Sequence, residues 1–397
     1  MPNFYPQHFF QNVVRREIGE LFLSVIIRDF AISMVGIFVP VYFYTLGFSL
    51  LKITLYYALI YTLYLFLIPV GAHIASRRGF EHSILYSIPF LILQLLLLFL
   101  LPKWPFIFYL LPLVVVIYKS LYWPAYHADF AHYTKEGQRG REVSTLQVLS
   151  SILTVIGPIA GGFIIGVFGF KILFIVVSII LFASAVPLFT TKEQFIPDDF
   201  YYKHAFRRLF RKENRSSFFG FIGTAEFLVQ EAFWPIFIFL VVESYLSLGA
   251  ITSIATFVGV GSLLYFGHLA DKKDRFRLIQ IFTWPLSILY FVRIFAKTAF
   301  DVLLVNIFAA FVRPGTDVPI ISIVYKKGRD IGHHLRYVVF YEMSLIIGKM
   351  IISWLLVIIF LFREDIIIPF ILAGLFTLLY LFIRKPLKVD RNTIKSW

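Results

Sequence analysis

The chain has 397 residues, of which 59% are hydrophobic and 15% charged; it carries no cysteine and a formal net charge of +14. Soluble domains run at about 45 to 50% apolar and about 25% charged, so a soluble globular class is excluded. The missing cysteines exclude disulfides, thiolate catalysis and cysteine-ligated metals. The basic residues are scattered over separate short stretches, which argues against a nucleic-acid partner and for anionic lipid headgroups.

A hydrocarbon core about 30 Å thick requires roughly 20 apolar residues per helical crossing. In chain order, runs of that kind predict twelve membrane helices over 20–45, 53–72, 83–101, 106–128, 143–168, 171–190, 216–241, 249–269, 278–295, 300–325, 335–360 and 366–383. These runs are apolar on every face, whereas barrel strands alternate, so the fold class is an all-α membrane protein. Arg15 and Arg16 precede the first run, but the run is too long for a signal-peptide core and is kept as the first helix. Gly47 and Ser49, Pro102 and Pro105, and Gly169 punctuate three of the connections.

Residues 192–215 form the one long polar stretch, acidic and aromatic at first, then basic through Arg207, Arg208, Arg211, Lys212 and Arg215. They divide the chain into a six-helix half over 1–191, a cytoplasmic linker over 192–215 and a second six-helix half over 216–397. Phe206, Leu209 and Phe210 among the arginines give the linker an amphipathic face toward a membrane surface; a solvated linker is the alternative. With twelve crossings, 27 of the 37 lysines and arginines fall in connections, or at the run ends beside them, on the side of the termini and 6 on the opposite side. The positive-inside bias then predicts a cell-membrane protein with both termini cytoplasmic.

The halves echo each other at an offset of 195 residues: Phe38/Phe233, Pro40/Pro235, Arg77/Lys272, Pro124/Pro319 and Arg141/Arg336. A duplicated bundle implies a transporter that holds its substrate between the repeats near the bilayer midplane.

The stretch Gly267-His268-Leu269-Ala270-Asp271-Lys272-Lys273-Asp274-Arg275 resembles the cytoplasmic loop pattern of the major facilitator superfamily, and the resemblance extends over essentially the whole chain. Its first-half copy over 72–79 is degraded: Ser76 stands at the usual Asp position, while Arg77 and Gly79 match. The resemblance makes Arg77, Gly79, Gly267, Asp271, Lys272 and Arg275 candidate gating-loop residues, with Asp271 able to pair with a neighbouring helix start and latch one state of a rocking cycle. Gly157-Pro158-Ile159-Ala160-Gly161-Gly162 is similar to a signature of the superfamily's drug:proton antiporters. Gly157, Pro158, Gly161 and Gly162 equally serve close helix packing and a bend.

Charges inside the runs are expensive in hydrocarbon and must face a cavity or a partner. Away from the run ends they are Arg28 and Asp29 in the first helix, Lys119 in the fourth, Glu226 and Glu231 in the seventh, Arg313 and Asp317 in the tenth, and Glu342 and Lys349 in the eleventh. The resemblance implies that the first, fourth, seventh and tenth helices line the central cavity, and it places Lys119 about where the family carries a fourth-helix Arg. Helical spacing puts Glu226 with Gln230, Arg313 with Asp317, and Glu342 with Lys349 on shared faces. Asp29, Lys119, Glu226, Gln230, Glu231, Arg313 and Asp317 are therefore the candidate proton and substrate pathway. Glu226 and Glu231, with no basic neighbour one turn away, are the first candidates to bind and release a proton; pairing that merely holds helices together is the alternative, most directly for Arg313 with Asp317. Tyr42, Tyr44, Phe233 and Trp234 are candidates to wall an apolar pocket, against the simpler reading of packing aromatics.

The expected function is a monomeric secondary transporter that expels a small amphipathic or hydrophobic solute in exchange for protons. A proton-coupled importer of a sugar, carboxylate or peptide is the second reading, favoured if Lys119 and Arg313 are unpaired, and a non-transporting receptor or scaffold is the third. No cofactor, metal site, nucleotide-binding loop or catalytic triad is evident, so an enzyme is not expected.

Overall fold

The structure is a computed structural model that describes residues 6–133, 137–189, 200–331 and 334–384, all of them helices and short connections. Among the described residues eleven helices are long and apolar enough to cross a membrane. They are α1 (Phe22–Thr45), α2 (Leu50–Arg78), α3 (Phe80–Leu100), α4 (Pro105–Asp129), α5 (Ser150–Phe168), α6 (Phe170–Phe189), α7 (Lys212–Val242), α8 (Tyr245–Lys272), α9 (Arg275–Phe295), α10 (Ala299–Asp330) and α11 (His334–Phe360). A shorter apolar helix, α12 (Ile368–Phe382), completes the twelve. Its last five residues tighten into a 3₁₀ turn, so at ~1.5 and ~2.0 Å per residue it reaches only about 25 Å. Hydropathy marks the apolar part of each helix, but backbone hydrogen bonding continues beyond it: helix begins at Pro6 before α1 and at Gly137 before α5.

The repeated proline pair has a matching backbone consequence. A proline ring collides with the carbonyl four residues back and donates no hydrogen bond to it. Four residues before Pro40 the helix of α1 opens into a turn at Gly36 and Ile37, and four before Pro235 lies Glu231, inside a π-helical turn over Val229–Phe233. The same lesion therefore falls at the same repeat position in α1 and α7, and in α7 it carries Gln230 and Glu231. In α10 the helix also interrupts itself at Arg313, just before Pro314.

Glycines set how closely the halves approach. A β-carbon on Gly157 would collide with Ser33 of α1, on Gly161 with the Met34 carbonyl of α1, and on Gly162 with the Tyr245 carbonyl of α8. A β-carbon on Gly249 of α8 would in turn collide with the Pro158 carbonyl. The antiporter-like segment is thus the surface on which α5 meets α1 within its half and α8 across the halves, an approach only small residues permit. A second seam joins α2 to α11, where Trp354 Nε1 donates to Thr62 Oγ1 at 2.9 Å. Large apolar side chains such as Phe182, Phe257 and Phe362 stay exposed on the outer surface, where lipid tails would cover them.

Of the predicted linker, residues 192–199 lie outside the described residues. The remainder is ordered: a helix over Tyr202–Leu209 buries Ala205 and Leu209, touches α2 and α11, and is followed by the 3₁₀ turn over Lys212–Asn214 that opens α7. His73 Nδ1 lies 2.9 Å from the Phe200 carbonyl, and the Tyr202 hydroxyl donates to the Phe66 carbonyl at 3.3 Å.

Candidate functional site

Two adjoining cavities open between the halves. The larger, about 520 Å³, is walled by α1 through α8 and includes Tyr56, Tyr57, Tyr118, Trp123, Gln94, Lys119 and Glu231 among aliphatic side chains. The smaller, about 370 Å³, lies among α5, α7, α8 and α10 and includes Phe227, Asn306, Arg313 and Asp317. Thr154, Gln230, Thr252 and Thr256 line both and form the waist between them.

At the centre stands Glu231, put there by the π turn of α7. Tyr61 of α2 donates its hydroxyl to Glu231 Oε2 at 3.2 Å, and Lys349 Nζ of α11 lies 3.5 Å from Oε1. Lys349 and Lys119 both stand over the Tyr61 ring, at 5.3 and 5.8 Å from its centroid, and the Lys119 charge also acts on Glu231. Glu231 remains 44% accessible although it lies deep in its helix, because the cavity reaches it. Its bond to Tyr61 crosses from one half to the other.

Glu226, one turn earlier, has the opposite environment. It is wholly buried, clamped by Arg313 through two bonds of 2.8 Å and by the hydroxyls of Tyr290 and Tyr380. Arg313 therefore pairs with Glu226 and not with its helix neighbour Asp317, because α7 delivers the carboxylate between both guanidinium nitrogens. Asp317, one turn on, accepts from Thr316 Oγ1 at 3.3 Å and faces the smaller cavity. Glu342 and Lys349, aligned on one face of α11, likewise take partners on other helices: Lys349 meets Glu231, and Glu342 meets His127 at 3.4 Å.

Behind Gln230 lies Arg293, 1% exposed, with its guanidinium over Trp234 and Tyr290 and Nη2 donating to Gln230 Oε1 at 2.6 Å. Trp234 Nε1 donates to Asn306 Oδ1 at 3.0 Å. Guanidinium and indole are donor-only groups, so both amides turn their oxygens to them and keep their NH2 groups as donors for other partners.

Of the seven pathway candidates, Lys119, Gln230, Glu231, Arg313 and Asp317 line the cavities. Glu226 and Asp29 stand beside them; Asp29 pairs with Arg28 at 2.8 Å while Arg28 sits 3.4 Å over the Tyr122 ring and bonds the Tyr118 hydroxyl. Tyr42, Tyr44, Phe233 and Trp234 are not cavity walls. Tyr42 packs on Phe170 and Phe174, Phe233 on Phe360, and Trp234 on Phe237 and Phe370. Tyr61, Tyr290, Tyr380, Arg293 and His127 escaped sequence reasoning, because neutral aromatic residues and a charge near a helix end carry no signal until their partners are known.

In the loop pattern, Asp271 is 77% exposed and lies 3.8 Å from Arg275, which opens α9 and caps α8 by donating Nε to the Ala270 carbonyl at 3.1 Å. Gly267 and Lys272 lie near the end of α8, and Lys272 is exposed. Arg77 is exposed near the end of α2, and Gly79, at φ 105°, makes the corner into α3. Among the described residues no group of three His, Asp or Glu stands together as metal ligands would.

Residues 21–333 match the model of the Major Facilitator Superfamily. Uncharacterized protein YqgE of Bacillus subtilis (strain 168) is 26% identical over an alignment of 285 residues that covers 67% of this chain and 65% of that protein. The chain thus spans just under two thirds of the length of this curated relative. In shape it is similar to the crystal structure of the E. coli fucose:proton symporter FucP, with a TM-score of 0.62 over 91% of this chain and 96% of that one. At 14% identity the likeness is one of fold.

Proposed function

The chain belongs to the major facilitator superfamily, and from that premise we propose that it is a proton-coupled secondary transporter of a small amphipathic solute, alternating access between the halves 1–191 and 216–397. The observation that carries this reading is the placement of Glu231 in an aromatic and aliphatic cavity of about 520 Å³, bonded across the halves to Tyr61 and beside Lys349. As an anion Glu231 accepts from Tyr61 and pairs with Lys349. Protonation removes the charge that holds Lys349, weakens the bond to Tyr61 and loosens the tie between α7 and α2. Solute and proton thus act on one group at the seam of the halves, as coupling requires: each ligand must favour one state over the other. Outward transport in exchange for protons rests on the likeness of Gly157-Pro158-x-x-Gly161-Gly162 to the antiporter signature.

A second reading, uptake of an anionic nutrient, is favoured by the two lysines that flank the single carboxylate Glu231. Thermal-shift screening of the purified protein at two pH values separates the readings, since stabilisation by carboxylates selects the second and by neutral or cationic amphiphiles the first. With the binder in hand, Glu231→Gln in proteoliposomes retains binding and counterflow but loses transport driven by a pH gradient. Wild-type gradient-driven transport by this variant overturns Glu231 as the coupling group.

A further inference from the structure

His127 stands near the end of α4, in the first half, and both polar side chains it touches belong to the second. Its Nδ1 lies 2.9 Å from the Tyr325 hydroxyl of α10, and its Nε2 lies 3.4 Å from Glu342 Oε1 of α11. The His127 side chain is 14% exposed and that of Glu342 8%. By the direction of their helices, these three residues lie toward the side of the bundle that carries the termini. The trio lines neither cavity, but Trp123, stacked on the imidazole at 5.5 Å, walls the larger one.

The donor and acceptor inventory defines what the cluster can hold. An ionised carboxylate only accepts, so Nε2 carries the hydrogen that faces Glu342. Nδ1 then either accepts from the Tyr325 hydroxyl or, in the imidazolium, donates to its oxygen, and a hydroxyl serves both roles. A proton therefore enters without breaking either contact, and it turns the contact with the Glu342 carboxylate from one with a single charged partner into an ion pair. Imidazole is the side chain whose ordinary charge change falls between about pH 5 and 8. The other titratable groups acting here are Tyr64 of α2, Tyr126 of α4, and Tyr341 and Lys349 of α11. Arg28 and Asp29 of α1 act on Tyr126.

We propose that His127, Tyr325 and Glu342 form a second proton-binding site, distinct from Glu231, whose bound proton ties α4 to α10 and α11 and holds the termini-bearing end of the transporter closed. Opening that end separates His127 from Glu342 and releases the proton. The site acts on the conformational balance whether or not Glu231 couples transport.

Because the chain has no cysteine, the test is direct. Nitroxide labels on Arg78→Cys and Arg329→Cys, at exposed ends of α2 and α10, report the separation of the halves by pulsed electron paramagnetic resonance in lipid nanodiscs. Between pH 8.0 and 5.5 the ratio of long to short separations falls at least about fivefold. His127→Gln, which retains hydrogen bonding but does not titrate, abolishes that response, and so does Glu342→Gln, which serves if the first variant is not monodisperse. Glu231→Gln retains it. An unchanged ratio in the parent protein, or an undiminished response in His127→Gln, overturns the proposal. Loss of the response in Glu231→Gln with retention in His127→Gln moves the proton to the coupling carboxylate and overturns this site while leaving the coupling reading intact.

Discussion

Glu226 and Glu231 share a helix and differ in almost everything else. Glu226 is a buried acid whose four polar contacts are all supplied by protein, from Arg313, Tyr290 and Tyr380. Glu231 borrows one hydroxyl and one ammonium and keeps nearly half its surface open to the cavity. A buried ion pair is costly to break because the survivor is left charged and unsolvated. Glu226→Gln therefore costs about 3 to 5 kcal/mol of stability, read as a lower unfolding temperature in detergent, and Glu226→Gln with Arg313→Gln recovers part of the loss. Equal stability of the single variant and its parent would remove Glu226 from the structural role given it here. Glu231→Gln lowers the unfolding temperature less, since Glu231 is itself 44% exposed and the surviving Lys349 keeps its contacts with the Tyr61 and Phe227 rings.

At the scale of elements, α5 is a glycine-faced rail. Gly162 lies against the Tyr245 backbone of α8, which cannot swing aside as a flexible side chain would, whereas Gly166 one turn on meets nothing within 4 Å. Gly162→Ala pushes α5 from α8 and depopulates the state in which these helices touch, while Gly166→Ala is neutral or stabilising by up to about 1 kcal/mol. Maleimide labelling of Ser253→Cys, whose native hydroxyl accepts from the Ile159 backbone across this seam at 3.1 Å, checks it. Labelling rises in the Gly162 variant and stays at the parental level in the Gly166 variant; equal labelling in both contradicts the rail. The prolines act on the same scale, since Pro40 and Pro235 break α1 and α7 at equivalent places and only in α7 does the break carry a carboxylate into the cavity.

For the whole molecule, orientation is the property that charge predicts most directly. Single cysteines at Lys103 and Lys297, exposed at the side away from the termini, react with an impermeant maleimide on intact cells, while those at Arg78 and Lys272 react only after permeabilisation. The reverse pattern would invert the positive-inside assignment. Helix number, the twofold repeat and the helices that carry charge were all legible in the sequence, because hydrophobic length, proline placement and the cost of charge in hydrocarbon are properties of single segments. Partners were not. Arg313 has a carboxylate one turn away on its own helix and binds Glu226 on another; Lys349 bypasses Glu342 for Glu231; Arg293 reads as a charge at a helix end and holds the Gln230 amide. Periodicity along one helix ranks only the neighbours on that helix, whereas side chains from eight helices converge on the larger cavity and the strongest bonds form between helices. The sequence by itself determined a duplicated membrane bundle with acids and bases in its interior, and the tertiary structure decided which acid is locked, which is open to the cavity, and which ties one half to the other.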